Sequence, residues 1–175
     1  MNERLLNHDH LELDELLASF FKSLEAGQLK ESFDALDLFW ARLAMHIRAE
    51  HLHLFPALLN GAEAAIKQGR RPAPPLEVVQ ARVARLRDDH DFFMTEFTAA
   101  VKGVRLLRDR RPEAPGAEEL CSKVAQAEQR LKAHNELEES EVYGWVARLL
   151  DPSEQAALYE RMERELANFP PRFRK

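Results

Sequence analysis

Apolar residues recur along this chain at steps of three and four, interrupted by a few clusters of glycine and proline. The interruptions fall at Gly27, at Gly69 to Pro75, at Pro112 to Gly116, at Asp151-Pro152 and at Pro170-Pro171. Between them the period is helical and β-branched residues are few. The pattern predicts helix A over about 3–26, B over about 29–58, C over about 76–110, D over about 117–150 and a shorter helix E over about 153–167. Pro56 and the alanine-rich stretch 61–68 leave the end of B open. Asp151-Pro152-Ser153-Glu154 reads as a helix start, with Asp as N-cap, Pro at the first helical position and Glu at the third. Short links between A and B, and between C and D, favour antiparallel neighbours. The expected fold is all-α: an antiparallel up-down four-helix bundle over about 3–150 with an additional C-terminal helix and a tail, 168–175. One domain is expected to span residues 1–175.

The core stripe can be read position by position. Helix A offers Leu6, His10, Leu13, Leu17, Phe20 and Leu24, and B offers Leu36, Phe39, Leu43, His46, Glu50 and His53. Helix C offers Val79, Val83, Leu86, His90, Phe93, Phe97, Ala100, Val104 and Leu107. Helix D offers Leu120, Val124, Ala127, Leu131, His134, Glu138, Glu141 and Trp145. All four alternate steps of three and four, the seam of packed helices.

Each seam is apolar except near one level, which carries His10, His46 with Glu50, His90, and His134 with Glu138. A buried carboxylate without a partner costs several kcal/mol, so such groups are paired or bound to metal. Spacing alone is weak support, because His-x-x-x-Glu pairs arise by chance. Axial level is stronger. Measured from the turns at Gly27 and at Pro112 to Gly116, the six residues lie roughly 25 to 33 Å along their helices at 1.5 Å per residue. All six can meet in one slab. Four imidazoles and two carboxylates suit a first-row transition-metal site. Carboxylates on facing helices, Glu50 and Glu138, can each bridge two ions, and two histidines then complete each ion. Mixed nitrogen and oxygen donors with open positions favour two iron ions, and zinc or manganese fit the same ligand types.

Composition removes several alternatives. The chain has 175 residues, is 45% hydrophobic and carries a net charge of −5. That balance gives no basic face for nucleic acid or an anionic membrane. No apolar run reaches the roughly 20 residues of a membrane span. The polar, acidic start is unlike a signal peptide, and the single cysteine, Cys121, excludes an internal disulfide. A cytoplasmic location is expected. Cys121 is read as partly buried, His8 and His51 as surface residues, and Tyr143 and Trp145 as packing near the site. Asp14, one turn after His10, is a candidate acceptor that would orient the imidazole.

The arrangement resembles the hemerythrin-like family, the His-His-Glu cation-binding domain. Asp9-His10-x-x-Leu13-Asp14-x-Leu16-Leu17 resembles its first-helix motif, and His46-x-x-x-Glu50-x-x-Leu-Phe55-Pro56 is close to the second. Asp89-His90 resembles the third, and His134-x-x-x-Glu138-Glu139 the fourth, in which either glutamate could supply the carboxylate and Glu138 sits on the seam. The resemblance covers roughly 5–147 and implies a non-haem di-iron centre that binds oxygen or related small molecules, such as nitric oxide or peroxide, or senses or stores iron. Met94 stands where the oxygen carriers of the family have a second third-helix histidine. One iron would then lose a nitrogen donor and gain an exchangeable position, favouring a more labile or reactive centre. A di-iron oxidoreductase acting on peroxide or nitric oxide is the enzymatic alternative, and a metal-free helical interaction module the third.

Two further expectations come from the seam. His53 and Glu141, three residues beyond Glu50 and Glu138, are read as lining the approach to the centre or replacing the missing nitrogen. Helix E is read as a lid over that end or as a homodimer surface.

Overall fold

A computed structural model describes residues 3–173. Among them there is no strand, and the chain runs through seven α-helices joined by turns and short distorted helical segments. The first, α1 (Glu3–Glu25), ends at Gly27, whose φ of +70° is the left-handed conformation that lets the chain reverse within three residues. Helix α2 (Leu29–Ala49) leads into a π-helical turn, Glu50–Leu54, and then directly into α3 (Phe55–Lys67). The second predicted helix therefore runs well past 58. Pro56 is tolerated because it lies in the first turn of α3, where its missing N–H is not needed.

The long α4 (Leu76–Arg108) starts after Pro75, and α5 (Ala117–Leu137) after Gly116. The predicted fourth helix is not continuous. It passes through a second π-helical turn, Glu138–Val142, a 3₁₀ turn, Tyr143–Trp145, and a short α6 (Val146–Leu149). Asp151 then caps α7 (Pro152–Leu166), accepting from the Ser153 and Glu154 amides, while the Glu154 carboxylate accepts from the Asp151 amide.

Helix α1 packs along α2, α2 along α4, α4 along α5, and α5 returns to α1, a helical bundle closed around a core. The core has two apolar clusters. One contains Leu13, Leu17, Phe20, Phe39, Phe93, Phe97 and Leu131, and the other Leu6, Leu54, Phe55, Leu86, Val142 and Trp145. Gly61 lets α3 lie against the end of α6: a methyl group there would sit 3.0 Å from the Leu149 carbonyl oxygen. No described helix is long and apolar enough to cross a membrane.

Seam residues are buried almost throughout. The exceptions are Leu107 in the last turn of α4, His53 and Glu141. Cys121 is exposed rather than partly buried, since it lies one position beyond the seam residue Leu120. Helix α7 packs on α2 and on the first π turn, and its Leu158 and Met162 are fully buried in the second cluster. Its apolar face is thus occupied by its own chain. Met162→Ala is expected to cost about 2–5 kcal/mol, read from the denaturant midpoint. A loss under about 0.5 kcal/mol, the range of ordinary surface substitutions, would mean that α7 is not part of the core.

Candidate metal centre

Between the two apolar clusters lies a layer of polar side chains. His10 on α1, His46 on α2, His90 on α4 and His134 on α5 are between 1% and 3% exposed, and Glu50 and Glu138 have no exposed surface. Both glutamates are the first residues of the π turns. The histidines form two pairs, with His10 Nε2 3.2 Å from His46 Nε2 and His90 Nε2 3.0 Å from His134 Nε2. The carboxylates span the pairs. Glu50 Oε1 is 3.6 Å from His46 Nε2 and Oε2 is 3.3 Å from His90 Nε2. Glu138 Oε2 is 3.5 Å from His10 Nε2 and Oε1 is 3.1 Å from His134 Nε2.

Each imidazole is anchored from outside through Nδ1. That of His46 donates to Asp9 Oδ2 at 2.8 Å, that of His134 to Asp89 Oδ2 at 3.3 Å, and that of His10 to Glu139 Oε1 at 2.7 Å. An ionised carboxylate can only accept, so Nδ1 carries the proton and Nε2 turns its lone pair to the centre. His90 Nδ1 instead lies 2.9 Å from His51 Nε2. The aspartates are held in turn by arginines one turn before the histidines they anchor: Arg42 Nε to Asp9 Oδ1 at 2.7 Å and Arg130 Nε to Asp89 Oδ1 at 2.8 Å. Arg42 also pairs with Glu12.

The electrostatics follow from this arrangement. Burial alone would raise the pKa of Asp9 and Asp89, but hydrogen bonds and charge from histidine and arginine outweigh it and hold both carboxyls below their ordinary range. Burial likewise opposes ionisation of Glu50 and Glu138, and the facing histidines overcome it, so Glu50 is held well below and Glu138 below the usual value. Burial would lower His46 and His134, yet the neighbouring carboxylates leave His46 well above and His134 above the ordinary 6.5. The centre therefore demands positive charge at the inward nitrogens. Glu50 Oε2 and Glu138 Oε1 are buried and accept no hydrogen bond from the described residues. Two orphaned anionic oxygens among inward imidazole lone pairs are the donor chemistry of a transition-metal site. The donors fall into two groups with mutually close atoms, Glu50–His90–His134–Glu138 and His10–His46–Glu138.

The sequence-predicted residues divide accordingly. His10, His46, Glu50, His90, His134 and Glu138 converge, and Glu139 anchors His10 from outside. Asp14 does not reach that position and lines a cleft of about 510 Å³ between α1 and α5. Burial pushes its carboxyl above the ordinary value. His53 and Glu141 are turned away, His53 toward Glu165 of α7 at 4.0 Å and Glu141 to Arg82 at 3.0 Å. The π turns are the reason: the wider turn advances the inward face by a residue, so Leu54 and Val142 are fully buried where His53 and Glu141 were expected. Apolar clusters flank the centre on both sides along the bundle. Met94 packs against the first apolar cluster.

Two residues read as peripheral belong to the centre. His51 is the partner of His90, and burial together with the His90 charge lowers its basicity. The Tyr143 hydroxyl lies 3.1 Å from both Glu50 Oε1 and Glu138 Oε2. An internal repeat signals His51: Asp9-His10 with Arg42-x-x-x-His46-x-x-x-Glu50-His51 recurs as Asp89-His90 with Arg130-x-x-x-His134-x-x-x-Glu138-Glu139. Position 51 corresponds to 139, and each anchors the histidine of the opposite half.

No curated protein and no solved structure matches the chain. The Hemerythrin HHE cation binding domain matches residues 2–146, a span that contains all six converging residues and the aspartates and arginines behind them. With that match over most of its length, the chain belongs to the hemerythrin HHE cation-binding domain family.

Proposed function

We propose that this protein is a non-haem di-iron binding protein, an up-down four-helix bundle with an added C-terminal helix, that binds or senses oxygen or a related small molecule or buffers iron. The observation that carries this reading is the pair of fully buried carboxylates, each spanning both histidine pairs and each keeping an oxygen without a partner. In it, His10 and His46 would hold one ion and His90 and His134 the other, with Glu50 and Glu138 as the carboxylates shared between them. Such ions would supply exchangeable coordination positions and a change of oxidation state. The protein fixes the imidazole tautomers through Asp9, Asp89, Glu139 and His51 and keeps bulk water away with apolar layers on both sides.

A di-iron oxidoreductase is the second reading. It is favoured by the position of Met94, which leaves α4 with a single inward histidine and the centre with fewer protein nitrogens. Repeated turnover of peroxide or nitric oxide by reduced protein supports the enzyme, and a single stable spectral change supports the binding protein.

Elemental analysis with an optical spectrum under air and after reduction tests the proposal. Two iron ions per chain are expected, and a purified, iron-exposed protein without stoichiometric metal would overturn it. Removing the metal should lower stability by roughly 3 kcal/mol or more, the linkage expected when a ligand is held at over 100 times its dissociation constant. An unchanged melting temperature after chelation would contradict this.

Asp9→Asn and Asp89→Asn should each weaken metal binding about 10–100-fold, as loss of a histidine-orienting carboxylate does elsewhere. Competition with a chelator of known affinity measures it, and unchanged affinity in both variants would remove these residues from the design.

The pH responses of the two states should be opposite. In the stripped protein His46 and His134 titrate above their ordinary 6.5. Their contribution is complete below about 6.5 and lost as pH rises through the raised values. In the loaded protein, protons compete with metal for the imidazoles, so metal and stability are lost below about 6. Thermal melts of both forms across pH check this, and parallel curves would refute it.

A further inference from the structure

The two halves of the centre repeat each other closely, and beyond the outer anchors Glu139 and His51 their aromatic rings differ at one atom. Five residues beyond each glutamate stands an aromatic ring, Phe55 after Glu50 and Tyr143 after Glu138. Each follows a π turn, and each backbone N–H returns to the carbonyl of its glutamate. Phe55 stacks on His90 with ring centroids 5.8 Å and planes 13° apart, and Tyr143 stacks on His10 at 5.9 Å and 29°. Phe55 is fully buried and Tyr143 is 4% exposed. The rings are equivalent, and only one has a hydroxyl.

That hydroxyl faces the atoms that would hold the first ion. Its oxygen is 3.1 Å from Glu50 Oε1, 3.1 Å from Glu138 Oε2 and 3.3 Å from His10 Nε2. A phenol has one proton to donate. Two carboxylate oxygens, both without solvent, compete for it, and whichever is not served is left against the phenol oxygen at contact distance. A cation among these oxygens and His10 Nε2 satisfies all of them at once, whereas the phenol proton cannot. No such conflict exists in the other half, where Phe55 brings no oxygen.

We infer that the Tyr143 oxygen is itself a donor to the ion held on the His10–His46 side, making the two metal positions chemically unequal. This rests on the di-iron reading above. On binding, the phenol O–H bond is replaced by an oxygen–metal bond and the proton leaves to solvent, with no change of oxidation state. The ion on the His90–His134 side has one protein donor fewer and retains the more exchangeable coordination.

The test compares the iron-loaded, oxidised wild type with Tyr143→Phe, which keeps the ring and its stacking on His10. Iron per chain is measured together with the visible and resonance Raman spectra. The wild type should show a phenolate-to-iron charge-transfer band with tyrosinate ring vibrations, and the variant should lose both. Retention of both irons, or loss of one iron along with the band, is consistent with the inference. Tyr159 on α7 is the other tyrosine of the chain, and Tyr159→Phe should leave the spectrum intact. Two irons per chain with no tyrosinate vibrations, or the same vibrations in wild type and Tyr143→Phe, would overturn the inference and leave the di-iron reading standing. A wild type that takes up no iron would overturn both.

Discussion

Two ionised carboxylates without any exposed surface, Glu50 and Glu138, are the constraint around which this bundle is arranged. Neither charge can be left alone in an apolar core. Each is met by inward imidazole nitrogens, each imidazole is held through its other ring nitrogen by an outer partner, and two of those partners are aspartates gripped by arginine. The result is two ladders of alternating charge, Glu50–His46–Asp9–Arg42 and Glu138–His134–Asp89–Arg130, running from the dry middle to the rim of the bundle. Each step supplies what the previous one lacks, so no rung is expendable on electrostatic grounds.

The ladders also explain why the helices pair as they do. Asp9 on α1 reaches His46 and Arg42 on α2, and Asp89 on α4 reaches His134 and Arg130 on α5. The anchors that cross between the two halves are the residues after each glutamate, Glu139 to His10 and His51 to His90. The repeat is imperfect where it crosses. One anchor is an acid beside a surface cleft, the other an imidazole, and the aromatic rings beyond them differ by a hydroxyl.

Most of this was legible in the chain because helical periodicity holds within each of α1, α2, α4 and α5. Seam positions from Leu6 to Leu24, from Leu36 to Glu50 and from Leu120 to Glu138 are buried, and the polar interruptions marked the level of the centre. Legibility ended where the period changed. A constant helical step projects from Glu50 to His53 and from Glu138 to Glu141, and nothing in the local residue types announces a wider turn. The same shift brings Tyr143 inward, which a step of three or four from Glu138 misses. His51 and the arginines were hidden for another reason. They lie off the apolar stripe and gain meaning only when the two halves of the chain are aligned with each other. Helix α7 was foreseen from its cap, but its place against α2 could not be read from its own amphipathic pattern.

The π turns act as phase shifters. On one side of each, the helix follows the register that brings the histidine and glutamate inward. On the other, it follows the register that brings Leu54 with Phe55, or Val142 with Tyr143, into the second cluster. The centre sits at the junction of the two registers. Neither segment can therefore gain or lose a residue without rotating an aromatic ring off its imidazole, and the bundle's length is locked to its chemistry at that junction.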